Sequence, residues 1–172
     1  YLEGLNASRM AALEQWLRLG GEVVICIGSQ GAELLQAGTD WSRLISGRFQ
    51  FLEQQWKTSG LEMYAGAKDP LELPTAGAVS SGMAVMENVE GRIEVFDGVG
   101  DVGQRPMVVR QLIGFGQLVF VAVDLDLPPF VDWPARSRLL RRPSIGEQGD
   151  ASIDRDTSLN KKVSHLGYRD LT

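Results

Sequence analysis

Covalent chemistry in this sequence would have to start from Cys26 and His165, the one cysteine and the one histidine in the chain. A cysteine nucleophile acts as its thiolate and needs a base within reach. Cys26 stands in Val24-Ile25-Cys26-Ile27-Gly28, an apolar run in which desolvation raises a thiol pKa. His165 stands far off, in a polar stretch near the C-terminus. Cys26 therefore reads as a small hydrophobe of the core, and His165 as a solvated side chain. The shortage of histidine also removes a Ser-His-Asp site. No catalytic residue is assigned. The rival reading is a hydrolase or amidotransferase-like enzyme using Cys26.

The candidate contact for a small ligand or phosphate lies in a run that reads first as a plain tight turn. Gly28, Ser29, Gln30 and Gly31 follow a strand and open a helix. Open α/β sheets bind ligands beyond the carboxyl ends of their strands, and backbone N–H groups at a helix start can hold an anion. The run is neither a phosphate loop of the Walker type nor the full dinucleotide fingerprint, so no cofactor is expected. Asp97 and Asp101 flank glycines, and Asp124 and Asp126 flank a leucine. Oxygen clusters suit calcium, but neither pair has the spacing of a calcium loop, and no metal is expected. Asp124 reads as a strand terminator that caps the segment after Pro129. Arg136, Arg138, Arg141 and Arg142 make a basic cluster, read as a solvated helix face.

Composition narrows the classes. The 172 residues carry 17 basic and 22 acidic side chains, a formal charge of −5. A nucleic-acid binder shows a basic footprint, so nucleic acid is not expected as a partner. No apolar run reaches the roughly 18 residues of a membrane span. One cysteine allows no internal disulfide. The chain opens on Tyr1 without a leader pattern, and is expected to be a domain taken from a larger protein.

The elements that must position these residues are legible. Met10, Leu13, Trp16 and Leu17 recur at helical spacing and predict a helix over 8–19, capped by Asn6 or Ser8 and stopped by Gly20-Gly21. Glu22 to Ile27 predicts a strand, apolar at nearly every position, as strands buried on both faces are. Short helices are predicted from Ala32 and from Asp40, and a strand over 48–58. Gly60 to Gly82 reads as an irregular connection. Met83 to Phe96 reads as strand, turn, strand about Asn88-Val89-Glu90-Gly91. Met107 to Ile113 and Gln117 to Val123 flank Gly114-Phe115-Gly116, the strongest hairpin signal in the chain. A short helix is predicted over 133–140. Trp16 and Trp133 are expected in the core. From Pro143 onward aliphatic residues thin out among Gly, Ser, Asp and Lys, which predicts a polar, partly disordered tail over 143–172.

The segments AALEQWLRLGGEVVICIG and GFGQLVFVAVDLDLPPFVDWPARSRLL carry a resemblance. Leu13, Trp16, Gly20, Gly21, Gly114, Gly116, Asp124, Pro128, Pro129 and Trp133 are arranged as in class I glutamine amidotransferase-like domains of large, uncharacterised, membrane-anchored bacterial proteins. Active amidotransferases of that kind hold the nucleophile in a Gly-x-Cys-x-Gly turn, and Cys26 departs from that setting. The resemblance implies a flavodoxin-like α/β domain over 1–142, with a mostly parallel sheet flanked by helices and an antiparallel hairpin near its C-terminal part. It also implies sheet strands upstream of Tyr1, leaving an exposed edge that favours pairing between chains. The expected function is a non-catalytic module that binds a small ligand or a protein. Its expected partners are other regions or subunits of the membrane-associated parent, or a second copy through that edge.

Overall fold

The computed structural model describes residues 6–36, 38–54, 56–72, 81–97 and 105–141. The first helix, α1 (Ala7–Arg18), forms where the apolar spacing places it, and the Asn6 side chain accepts from Arg9 N at 3.0 Å. That bond satisfies one of the orphan donors of the first turn. Gly20, at φ +111°, takes the chain out of the helix into β1 (Glu22–Cys26). Two short helices follow, α2 (Gly31–Leu34) and α3 (Asp40–Leu44). The cap of α3 is Thr39 rather than Asp40: Thr39 Oγ1 accepts from Ser42 N at 3.1 Å. Then come β2 (Arg48–Glu53), α4 (Ser59–Ala65), β3 (Met83–Glu87), β4 (Arg92–Phe96), β5 (Pro106–Ile113), β6 (Gly116–Val121) and α5 (Arg136–Arg141).

The strands form a four-stranded sheet, in the order β1-β6-β5-β4, and a two-stranded sheet, β2-β3. Among the described residues only β1 and β6 run parallel; the β5–β6, β4–β5 and β2–β3 pairs are antiparallel. The mostly parallel, flavodoxin-like sheet expected from the sequence is thus corrected to a small, mostly antiparallel mixed sheet. The tight Gly114-Phe115 link forces β5 and β6 to run antiparallel, because parallel neighbours need a long crossover. β1 pairs in parallel with β6, but it stands at the edge of the sheet.

Helices cover both faces of the larger sheet. Arg110 and Gln111 are neighbours on β5 and so point to opposite faces. Gln111 Oε1 accepts from Ser46 N, just after α3, at 3.2 Å. Arg110 meets Glu94, which accepts from Tyr64 of α4. α1 packs beside α3, and α5 beside α4. With both faces covered, β6 is buried at every position but Gln117, which explains why its sequence is apolar on both sides.

Three further expectations change. The stretch from Gly60 to Gly82 holds a helix, α4, whose seven residues are too few for a periodic signal; residues 73–80 lie outside the described residues. β3 and β4 form as strands but do not pair with each other. β3 joins β2, and also meets the end of β6 through a Met83–Val123 bridge. Trp16 is half exposed rather than core, because its indole lies on Gly21, where a Cβ would stand 2.4 Å from the ring. Trp133 is buried as expected, and so are Trp41 and Trp56. The proposed tail over 143–172 lies outside the described residues.

Candidate functional site

The carboxyl ends of the parallel pair β1 and β6 bring Cys26, Gly28, Ser29, Asp124 and Asp126 into one neighbourhood. The Asp124 carboxylate is its centre. Oδ1 accepts from Gly28 N at 3.0 Å, and Oδ2 accepts from Ser29 N at 2.7 Å and from Ser29 Oγ. The amides of Gly28 and Ser29 in this turn are thus taken up by the protein's own Asp124. This corrects the reading of Asp124 as a cap for the segment after Pro129. A buried carboxylate needs such donors to offset its desolvation, and a strand-to-helix turn supplies them in pairs.

The backbone of Asp124 is fixed from the other side. Its N–H donates to Ser81 Oγ at 2.7 Å, and Ser81 N donates to Pro128 O at 2.8 Å. Ser81 O accepts from Trp56 Nε1 at 3.1 Å. Trp56 stacks on Phe130, with ring centroids 5.6 Å apart, and Phe130 meets Trp133 edge to face. The aromatic stack thereby anchors the loop that carries Asp124 and the cis Pro128–Pro129 peptide. Gly28 is required by space: a Cβ there would lie 2.5 Å from Gly82 O and 2.7 Å from Asp124 N. At Gly31 a Cβ would press on Phe49 and Ala84, and Gly31 N donates back to Gly28 O at 2.9 Å. Ser29 and Gln30 are exposed at the mouth of the turn.

Cys26 keeps part of its surface open, yet its thiol is largely desolvated. Burial, with the charges of Asp126 and Asp124 added, pushes its pKa up to about 12, against a smaller opposing effect of Arg136. A thiol in that setting is protonated at neutral pH and is a poor nucleophile.

Sequence reasoning missed a polar row across the sheet. Tyr64 OH donates to Glu94; Arg110 Nε donates to Glu94 Oε1 at 2.6 Å; Arg110 Nη1 donates to Gln117 Oε1 at 2.6 Å; Gln117 Nε2 donates to Glu22 Oε1 at 2.8 Å. Burial alone would raise the Glu94 pKa, but hydrogen bonds from Arg110 and Tyr64 and the charge of Arg110 together hold it below the usual carboxylate range. Arg110 is raised in turn, chiefly by its bond to Glu94. The signal in the sequence was Arg110 among the apolar residues of β5 and Glu94 between Ile93 and Val95 of β4, but strand pairing is needed to see that they meet.

The remaining candidates scatter. Asp97 Oδ1 accepts from Lys57 N at 2.6 Å, and Asp101 lies outside the described residues. Among the described residues no group of His, Cys, Asp and Glu is placed to hold a metal ion, and no helix is long and apolar enough to cross a membrane. Arg136 is half-buried near Cys26, Arg138 and Arg141 are exposed, and Arg142 and His165 lie outside the described residues.

The opposite end of the sheet is apolar and open. Phe115 is 93% exposed, Leu112 78%, Leu19 75% and Trp16 50%. The hairpin tip docks there on the end of α1, where Phe115 N donates to Arg18 O at 3.1 Å.

No family model and no curated protein matches the chain. Among solved structures it is similar to part of exo-beta-1,4-mannosidase Op5Man5 from Opitutaceae bacterium strain TAV5, with 15% identity and a TM-score of 0.47. The match covers 80% of this chain and 23% of the mannosidase, a likeness too loose to bear on fold or activity.

Proposed function

We propose that this chain is a non-catalytic binding module that engages other regions or subunits of a larger, membrane-anchored bacterial protein. The membrane-anchored parent follows from the resemblance carried by Leu13, Trp16, Gly20, Gly21 and the Gly114 to Trp133 segment. The binding role rests on the open apolar end formed by Trp16, Leu19, Leu112 and Phe115. Large apolar side chains left exposed near one end of a sheet are the material of interaction surfaces, and each of these four is at least half exposed. The non-catalytic part is supported by the other end, where Asp124 takes up the amides of Gly28 and Ser29 and Cys26 stays a neutral thiol. A small ligand at Gly28 to Gly31 would meet the exposed Ser29 and Gln30 rather than the Gly28 and Ser29 amides.

The test has two arms. Other regions of the parent, produced separately, are titrated calorimetrically with this chain and with its Leu112→Asp/Phe115→Asp variant. Binding that the variant weakens at least ~10-fold is expected, since hot spots centre on large apolar side chains. In parallel the chain is assayed with glutamine and with chromogenic esters and amides. Turnover abolished by Cys26→Ala, with the fold retained, would replace this reading by that of an enzyme.

A further inference from the structure

We infer that two copies of this chain pair antiparallel along β1, with Val24 on the two-fold axis, joining their larger sheets into one. β1 ends the four-stranded sheet, with β6 alone beside it. Gly21 O accepts from Gln117 N at 3.0 Å, and Ile27 N donates to Val121 O at 2.9 Å. Strand residues alternate in the side to which their backbone groups point, so Val23 and Ile25 also face β6. The N–H and C=O groups of Glu22, Val24 and Cys26 point the other way, and among the described residues none of them has a partner.

The two edges of this sheet are built differently. β4, the far edge, carries Arg92 and Glu94 and breaks register between Ile93 and Val95 and between Val95 and Phe96. Charges and bulges are the devices by which proteins block edge pairing. β1 has neither. After Glu22 it reads Val23-Val24-Ile25-Cys26, unbroken in register and free of Pro and Lys.

Symmetry selects the partner and the register. A closed two-fold interface sets the same patch against itself, and in the plane of a sheet that requires antiparallel strands. Centring the axis on Val24 sets Val24 opposite its twin, and Glu22 opposite the second copy's Cys26. All of the outward backbone groups of β1 are then paired, each facing pair exchanging two bonds. The only charge on the strand, Glu22, goes to opposite ends of the joint in the two copies, whereas a parallel arrangement would set the two Glu22 side by side. The inference goes beyond the binding-module reading, because it stands even if no other partner is found.

The test is the oligomeric state by sedimentation equilibrium, with cysteine scanning to fix the register. The chain is expected to be a dimer. Val24→Pro removes only an outward N–H, so it is expected to keep the fold and to weaken dimerisation at least ~10-fold. Val24→Lys serves the same purpose if the proline variant does not fold. On a Cys26→Ala background, Val24→Cys is expected to form an intersubunit disulfide on mild oxidation. Facing residues of a bonded pair lie about 5.5 Å apart between Cα atoms, within disulfide reach. Val23→Cys is expected to give none, since Val23 faces Ile25 of the second copy. A monomer at all concentrations, a dimer that survives the Val24 variants, or equal cross-linking from positions 23 and 24 would overturn the proposal.

Discussion

Removing the Asp124 carboxylate tests the central bond set of this fold. In Asp124→Ala the Gly28 N–H, the Ser29 N–H and the Ser29 hydroxyl all lose their acceptor. Bonds to a charged group contribute about 1.5–3 kcal/mol each, and an orphaned buried donor costs about 1–3 kcal/mol. Ser29 is exposed, so water can replace its lost acceptor; Gly28 is buried, so its donor stays unpaired. The expected loss is therefore about 3 kcal/mol, well below the simple sum. For a chain of this size that lowers Tm by roughly 6–12 °C. Asp124→Asn keeps an oxygen in place and should cost about half as much. Ser29→Ala leaves both backbone donors bonded and should cost no more than ~1 kcal/mol. Urea unfolding followed by tryptophan fluorescence reads these differences, with the buried Trp56 and Trp133 as reporters. An Asp124→Ala protein within ~0.5 kcal/mol of the parent chain, the range of neutral surface changes, would refute the claim that this carboxylate holds the turn.

Cys26 should react with a chromogenic disulfide far more slowly in the native chain than in the unfolded one between pH 7 and 9 (roughly the range that spans an ordinary thiol pKa), because its pKa is pushed up to about 12; fast native reaction would reverse the assignment. Glu94 should make stability fall on the acid side. Its folded pKa lies below the ordinary 4.5, so the unfolded chain takes up the proton first, and stability drops as pH falls through 4.5 towards the folded value. Glu94→Gln should lose that part of the acid slope and cost about 1–3 kcal/mol at neutral pH, since Arg110 loses its counter-charge but keeps Gln117 as an acceptor; an unchanged pH profile would count against the pair. Gly28→Ala should destabilise by about 1–3 kcal/mol through overpacking against the Gly82 and Asp124 backbone, in the absence of any ligand, measured by the same urea titration.

Local structure was legible wherever a local rule governs it. The helical spacing of Met10, Leu13 and Leu17 with the Asn6 cap gave α1, and Gly114-Phe115-Gly116 marked the β5–β6 hairpin, whose link is only Gly114-Phe115 because Gly116 already belongs to β6, since spacing and turn chemistry act within a few residues. The same rules placed the Gly28 to Gly31 turn after β1 and left its amides available to an anion. What the sequence could not supply was the anion. Asp124 lies far along the chain, and only the parallel pairing of β1 with β6 carries it to Gly28 and Ser29. Composition likewise could not tell a buried antiparallel sheet from a parallel one. Both are apolar on each face once helices cover them, as β6 shows, so strand direction was settled by tertiary pairing.

The row from Tyr64 through Glu94, Arg110 and Gln117 to Glu22 makes the same point for polar groups, since it draws on α4 and all four strands of the larger sheet. Trp16 shows the converse: its place in the helical stripe pointed inward, but its ring ends on Gly21 with half its area in water. By itself the sequence determined the helix, the turns, the hairpin and the scarcity of nucleophile and base, all properties of residue type and short spacing. Tertiary structure alone decided the direction of the strands, the partner of Asp124 and which edge of the sheet is left open, because each depends on contacts between residues that the chain separates and only packing brings together.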